Sequence, residues 1–411
     1  MRKELLPPLA GALAALGAVL LLRRGIVMGP DSWAYWEASV SLRERGSYAY
    51  FGGQRVVVFP PLFAVWLAGV QAVLGVSARA LILSQAALAG CAAWQWIHLY
   101  RELAGRERAR IADGLAVLAV AAALAVSAQT LLSESLWLAL LPAALRAADR
   151  QGARAALALG LATTGLLLCR NVTVAFLPAL LAYAVLRADA AARARRAVVA
   201  AAVLAAPVAV WLAVRRSLGQ SSVHAFGSGR AGLLTYLGQT AVGLAETLGP
   251  ARLGIGAALL TAVAAVCGAV SFRRDATGSR VRALAAFALL GLLGQAALFA
   301  ATSVAEPIRG RFLVIAALAA AIVMLAAAGA YGDRLGRAAL AVGASLAAVG
   351  LLRFGVKLRL AGIEQPTIAW RTTVSSSYWN GPEHPRGALV LVAPPTYSWL
   401  TRPVDGGGTA P

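Results

Sequence analysis

Long apolar runs alternate with short polar connections along most of the chain. A helix of about 20 apolar residues crosses the hydrocarbon core of a bilayer, and runs near this length recur as far as residue 354. The pattern predicts an all-α polytopic membrane protein with about eleven transmembrane helices. The predicted spans are residues 5–22, 79–100, 111–131, 135–145, 155–169, 171–187, 197–214, 253–272, 283–302, 312–330 and 338–354.

The composition agrees with this class and explains the charge. Of 411 residues, 60% are hydrophobic and only 13% are charged, which is more apolar surface than a soluble fold can bury. The formal net charge is +21, but the arginines lie in short clusters between the apolar runs, as loops on the cytoplasmic side require. The charge therefore follows from topology and argues against a nucleic-acid partner.

The arginine clusters predict an orientation. The first span follows Arg2 and Lys3 and lacks a small-residue cleavage site, so we interpret it as a retained signal anchor with its amino terminus in the cytoplasm. All clusters reach the cytoplasmic side only if residues 60–75 and 233–248 lie in the interface or re-enter the membrane. The predicted cytoplasmic connections are residues 101–110, 146–154, 187–196, 273–282 and 334–337.

The predicted topology divides the chain into a transmembrane unit over residues 1–354 and a short outer segment over 355–411. The first outer loop spans 25–77 and contains Asp31 and Glu37. Further charged groups that face outward are a carboxylate in the second outer connection and three cations. They are Glu134, Arg170, Arg309 and Arg311.

These charges suit one kind of reaction. A carboxylate can remove a proton from an acceptor hydroxyl or amine, and arginines can bind a phosphate through paired N–H donors. Together they favour the transfer of a group from a phosphate leaving group to an acceptor. The three cysteines lie far apart within apolar runs, and we expect them to be small buried hydrophobic residues.

The first outer loop also resembles a known family. The pattern Asp31-x-x-x-Tyr35-x-Glu37, followed by Phe-Pro-Pro-Leu over residues 59–62, resembles the first outer loop of GT-C glycosyltransferases. The similarity is greatest to the protein mannosyltransferase and aminoarabinose transferase branch. In that branch the first aspartate of the loop is the catalytic or site-organising carboxylate, which implies this role for Asp31.

Three later segments follow the same order as in this family. Ser133-Glu134 resembles the second outer loop, although many relatives have aspartate there. Arg309-Gly-Arg311-Phe resembles a late segment before a closing span, and residues 388–403 resemble a short strand-like segment after the last span. The tail is too short for a sizeable outer domain, so acceptor type and metal dependence stay open.

The resemblance implies a membrane enzyme that takes a sugar from a polyprenyl-phosphate carrier. The acceptor would be a lipid, a glycan or a protein. Asp31 would act as base, Glu134 would orient the acceptor or a divalent cation, and Tyr35 and Glu37 would contact substrate. The expected phosphate clamp consists of Arg170, Arg309 and Arg311.

Each residue also has a simpler interpretation. Asp31 could cap a helix, Glu37 could face water, and Glu134 could interact with a helix dipole. Arg170 could extend to the interface, Tyr35 could be an interfacial anchor, and Arg309 and Arg311 could be topological exceptions. The competing functions are a transporter or lipid flippase, which would need broken helices or repeats, and a scaffold without catalysis.

Overall fold

The structure is a computed structural model, and it describes residues 3–23, 26–27, 30–50, 55–56, 59–104, 110–188, 192–219, 234–240, 276–302, 310–330, 334–360, 367–368 and 391–392. Helices account for most of this part of the chain. They are α1 (Leu6–Leu21), α2 (Pro30–Arg45), α3 (Leu62–Leu74), α4 (Ala78–Leu103), α5 (Arg110–Ser127), α6 (Glu134–Asp149), α7 (Ala153–Cys169), α8 (Thr173–Leu186), α9 (Arg193–Ser217), α10 (Ala276–Thr302), α11 (Gly310–Ala330) and α12 (Arg334–Leu360).

The predicted all-α polytopic membrane protein is confirmed. In the described part, five helices are long and apolar enough to cross a membrane, and α1, α3, α7 and α8 are shorter apolar helices. Large apolar side chains point outward from the bundle, among them Leu16 on α1 and Leu161 on α7. A surface of this kind is stable in lipid and would be costly in water. The predicted span over 253–272 lies outside the described residues, so the count of eleven crossings stays a prediction.

Close contact between α1 and α4 organises one side of the bundle. Gly11 and Gly90 face each other where these helices cross, and a Cβ atom at either position would lie 3.0 Å from the backbone oxygen of the other. Small residues allow transmembrane helices to approach closely and gain dispersion energy. The second side of α1 packs against α5.

Helix α3 has the dimensions of an interfacial element. Its 13 residues extend about 20 Å, which is less than the roughly 30 Å of the hydrocarbon core. One face buries Phe63, Leu67 and Gln71, whereas Val73 on the other face is 82% exposed. Its length is consistent with the predicted non-crossing segment 60–75. Of the segment 233–248, residues 234–240 are helical and the rest lie outside the described part.

One end of the bundle gathers the predicted cytoplasmic connections. Arg146 on α6 pairs with Glu102 on α4 at 3.0 Å, and Arg187 pairs with Asp149. In the same region Tyr100 donates a hydrogen bond to Asp113 at 3.1 Å. We call this the arginine end. The structure thus brings three separately predicted connections together, as an up-and-down bundle requires.

The opposite end carries the loop and tail segments that were predicted to face outward. Strand β1 (Ile26–Val27) pairs antiparallel with β2 (Thr367–Ile368), which pairs antiparallel with β3 (Leu391–Val392). Strand β3 lies within the strand-like segment predicted over residues 388–403. Through this small sheet the end of the chain returns to the start of the first outer loop.

Two details differ from the sequence prediction. Helix α12 continues to Leu360, past the predicted end of the last span at 354, because its last turn carries Lys357 and Arg359 and can extend beyond the apolar layer as a helix. Cys91 is exposed rather than buried, since it lies on the outer face of α4, whereas Cys169 is buried as predicted.

Candidate active site

Helix α2 places Asp31 and Tyr35 on one face. Asp31 is in the first turn of α2, where a carboxylate also interacts favourably with the helix dipole. Tyr35 follows four residues later, so the two side chains lie on the same side of the helix with Cβ atoms about 5–6 Å apart. Asp31 is half-buried and Tyr35 is buried.

Tyr35 attaches α2 to the start of α6. Its hydroxyl donates a hydrogen bond to Ser133 Oγ at 3.1 Å, and its ring contacts Phe59 and Phe63 with centroids 5.0 Å away in each case. Burial raises the pKa of the Tyr35 phenol well above its usual value, so the hydroxyl stays protonated and acts as a donor. An interfacial anchor would be only partly covered, and Tyr35 is 4% exposed.

The Phe-Pro-Pro-Leu segment closes over this face of α2. Tyr48 donates hydrogen bonds to the backbone oxygens of Phe59, at 2.8 Å, and Pro60, at 3.2 Å. These bonds link the segment after α2 to the residues just before α3. The motif therefore supports the aromatic wall around Tyr35.

Glu134 and Arg170 form a buried ion pair next to Ser133. Glu134 is the first residue of α6, and Arg170 follows the last residue of α7. Arg170 Nη1 contacts Glu134 Oε1, and the two side chains are 15% and 10% exposed, respectively. The predicted second carboxylate and the predicted phosphate-binding cation thus meet directly. Extension of Arg170 to the interface does not describe this geometry, because its guanidinium is covered and paired.

The charges of this pair reach Tyr35. Both Arg170 and Glu134 influence the pKa of the Tyr35 phenol, although less strongly than burial does. Tyr35 therefore connects the α2 face that carries Asp31 with the ion pair between α6 and α7. The structure brings four predicted residues into one region: Asp31, Tyr35, Glu134 and Arg170.

Glu37 lies on a different side of α2 from Tyr35 but is also buried. Its residue is 4% exposed, so the interpretation that it faces water is wrong. Burial raises the pKa of the half-buried Tyr50 phenol, and the carboxylates of Glu37 and Asp31 raise it further. Tyr50 is thus within electrostatic reach of both carboxylates, which the sequence alone did not indicate.

The sequence prediction did not include Arg215, which the structure links through Trp211 to the residue after Arg170. Trp211 Nε1 donates a hydrogen bond to Asn171 Oδ1 at 3.3 Å, and the guanidinium of Arg215 lies 4.8 Å from the centre of the Trp211 ring. Arg215 is buried. The signal in the sequence was the four-residue spacing of tryptophan and arginine at the end of an apolar helix, which brings the two side chains together.

Hydrogen bonds among buried polar groups fix the helices around the pair. Cys169 Sγ donates to the backbone oxygen of Ser133 at 3.2 Å. Trp137 Nε1 donates to Thr173 Oγ1 at 2.7 Å, and this hydroxyl donates to the backbone oxygen of Leu166 at 2.8 Å. These bonds connect α6, α7 and α8, so the positions of Glu134 and Arg170 are set by three helices.

The side chains of the remaining predicted site residues, Arg309 and Arg311, lie outside the described part of the chain. Arg309 lies outside the described residues, and only the backbone of Arg311 is described, in the first turn of α11. Within the described part of the chain no group of three or more His, Cys, Asp and Glu side chains could hold a metal ion. The divalent cation at Glu134 stays a prediction from the resemblance.

Comparison with solved structures identifies the fold. No family model and no curated protein matches the chain. ArnT from Cupriavidus metallidurans in the apo state is 20% identical, with a TM-score of 0.46 over 85% of this chain and 75% of that chain. ArnT from Cupriavidus metallidurans bound to undecaprenyl phosphate is 16% identical, with a TM-score of 0.50 over 85% of this chain and 76% of that chain. The chain therefore has a fold similar to that of ArnT.

Proposed function

We propose that the protein is an integral membrane glycosyltransferase that moves a sugar from a polyprenyl-phosphate carrier to an acceptor at the outer face of the membrane. The observation that carries this proposal is the buried Glu134–Arg170 pair next to the α2 face with Asp31. The ArnT-like fold supports it, since one of the solved ArnT structures contains undecaprenyl phosphate.

In the proposed reaction Asp31 acts as the general base. An acceptor hydroxyl or amine attacks the anomeric carbon of the donor sugar and passes its proton to the Asp31 carboxylate. The bond between that carbon and the phosphate oxygen breaks, and polyprenyl phosphate leaves as an anion. General base catalysis of this kind contributes about 10²- to 10⁴-fold to the rate.

Arg170 would stabilise the charge on the departing phosphate. A guanidinium has five N–H donors in a fixed plane, so one arginine can bind a carboxylate and a phosphate together. Glu134 would then orient Arg170, a role that differs from the acceptor- or metal-orienting role implied by the resemblance. Arg215, Arg309 and Arg311 are further candidates for phosphate contact, and Tyr35 and Glu37 for contact with the sugar or the acceptor.

The direct test is transfer from a defined donor. Purified full-length protein in nanodiscs is incubated with short-chain polyprenyl-phosphate sugars and a membrane lipid extract as acceptor source, and released polyprenyl phosphate is measured. Release that depends on the extract supports the proposal. A protein that moves the intact donor between leaflets of a vesicle without releasing phosphate would instead be a flippase, the competing function.

A further inference from the structure

A cavity of about 250 Å³ lies at the arginine end, far along the bundle from the candidate active site. It is formed where the end of α6 and the starts of α7 and α9 meet α8. Its floor is apolar, and its mouth carries three arginines. The floor includes Ala155, Leu159, Ala184, Ala200 and Val203, and the arginines are Arg150, Arg195 and Arg196.

The arginines at the mouth are positioned and accessible. Arg196 donates hydrogen bonds to the backbone oxygens of Ala148 and Arg150, so it joins α9 to the end of α6. The side chain of Arg150 is 64% exposed, and Arg195 is exposed in the first turn of α9. Positive charge therefore surrounds the opening on two sides.

Nearby carboxylates neutralise little of this charge. Glu102 lies 3.0 Å from Arg146 and 3.8 Å from Arg150, so one carboxylate is divided between two guanidinium groups. Asp149 is paired with Arg187. Gly152, the residue before α7, adopts a positive φ of 99°, and a Cβ there would meet no atom within 4 Å. The mouth thus combines cationic side chains with open space.

The outer walls next to the cavity are apolar and exposed. Leu157 on α7 is 64% exposed, and Val198 and Val199 on α9 are 70% and 45% exposed. Val199 lines the cavity itself, and Leu157 and Val198 lie next to lining residues of the same two helices. A ligand with an anionic head and hydrocarbon chains matches both surfaces at once.

We infer that this cavity binds an anionic phospholipid of the surrounding membrane, with the phosphate at Arg150, Arg195 and Arg196 and an acyl chain against α7 and α9. Basic pockets between transmembrane helices on the cytoplasmic side are suited to anionic headgroups. The inference does not depend on the proposed function, because the cavity and the candidate active site lie at opposite ends of the bundle.

The test measures the melting temperature of the full-length protein in detergent during titration with dioctanoyl phosphatidylglycerol or dioctanoyl phosphatidylcholine. Only the anionic lipid should raise the melting temperature, with saturation. The double variant Arg150→Gln/Arg195→Gln should weaken the apparent affinity by about 25-fold, since each arginine near a membrane surface contributes about fivefold. Arg216→Gln at the other end of α9 is the matched control and should behave like wild type.

Two further measurements distinguish lipid binding from misfolding of the variant and from binding of phosphate alone. The charge-retaining double variant Arg150→Lys/Arg195→Lys should keep most of the rise in melting temperature with phosphatidylglycerol. This result would show that the weaker binding of the glutamine variant comes from the lost charge and not from misfolding. Inorganic phosphate at the same concentration should have little effect, because it lacks the acyl chains. Equal stabilisation by both lipids, an unchanged affinity in the glutamine variant, or full stabilisation by inorganic phosphate would overturn the inference.

Discussion

Each end of the bundle contains an arginine–carboxylate pair that joins two helices, but the two pairs have different surroundings. At the arginine end the side chains of Arg146 and Glu102 are 23% and 33% exposed, and Arg146 also donates to Gln95 at 3.0 Å. At the other end the side chains of Arg170 and Glu134 are 15% and 10% exposed and lie beside a buried tyrosine. The two pairs should therefore contribute differently to the free energy of unfolding.

The Arg146–Glu102 pair is only half-buried, so it loses less hydration and contributes less to stability. Water and salt screen it, so such a pair contributes about 0–1 kcal/mol. The buried pair has lost most of its hydration, and the attraction between the charges offsets this cost only when the geometry is good. Replacement of a buried ion pair by apolar residues of similar volume is often neutral or stabilising, so stability alone does not explain such a pair. The pair lies next to Ser133, which accepts the hydrogen bond of Tyr35, and this position is the reason for proposing a site here.

The two ends of the bundle are predicted to face opposite sides of the membrane. Leu74→Cys, on the exposed face of α3, should react in intact cells with an impermeant thiol reagent. Gln151→Cys, between α6 and α7, should react only after lysis. Labelling of Gln151→Cys in intact cells, or protection of Leu74→Cys, would reverse or break the predicted topology.

The largest effect on rate is expected at Asp31. Asp31→Asn keeps the size of the side chain but removes its basicity, so sugar transfer should fall by about 10²-fold or more. The melting temperature in detergent should stay near that of wild type. Asp113→Asn, which alters the partner of Tyr100 at the arginine end, is the matched control and should leave the transfer rate unchanged. Substantial transfer by Asp31→Asn would exclude Asp31 as the base.

Much of the fold could be predicted from the sequence, because the length of each apolar run and the arginines that flank it can be read without knowing the helix packing. The ends of α6 and α7 were predicted within a few residues, and β3 lies within the predicted strand-like segment. The pairing of Glu134 with Arg170 did not follow, because the two residues come from different connections and only the helix packing brings them together. The sequence assigned them separate roles, one as carboxylate and one as phosphate clamp.

The burial of Glu37 and Arg215 was also beyond the sequence. Period and hydropathy predict which face of a helix is apolar, but a single charged residue on a short loop helix is compatible with either side. Burial of Glu37 follows from how α2 packs on its neighbours, and burial of Arg215 goes with its contact to Trp211. The shared face of Asp31 and Tyr35 needs no tertiary information, because residues four apart on a helix lie on the same side.

The two ion pairs should differ strongly in stability measurements. Glu134→Gln leaves Arg170 charged and covered, so the free energy of unfolding should fall by about 3–5 kcal/mol. Glu102→Gln at the arginine end should change it by about 1 kcal/mol or less. Denaturant titration in mixed micelles measures both. The double variant Glu134→Gln/Arg170→Gln should recover part of the loss, and similar losses in the two single variants would remove the distinction between the ends.

The predicted phosphate clamp should affect donor binding more than stability. If Arg309 and Arg311 contact the donor phosphate, their replacement by Ala should weaken the affinity for a polyprenyl-phosphate sugar by about 1.5–3 kcal/mol. Lysine should restore only part of the affinity, because it keeps the charge but loses the planar pair of donors. Binding is measured in nanodiscs, with Arg337→Ala at a predicted cytoplasmic connection as control. Unchanged affinity would mean that Arg309 and Arg311 are topological exceptions, and the phosphate contact would then be sought first at Arg170.

The smallest effect is expected from two tyrosine hydroxyls that make hydrogen bonds of equal length at opposite ends. Tyr35 donates to Ser133 at 3.1 Å, and Tyr100 donates to Asp113 at 3.1 Å. Removal of either hydroxyl, by Tyr35→Phe or Tyr100→Phe, should lower the free energy of unfolding by about 0.5–1.5 kcal/mol. Only Tyr35→Phe should also raise the KM for the donor and lower kcat, because its hydroxyl holds α2, and with it Asp31, against the start of α6. Equal kinetic effects of the two variants would show that Tyr35 stabilises the fold without positioning the site.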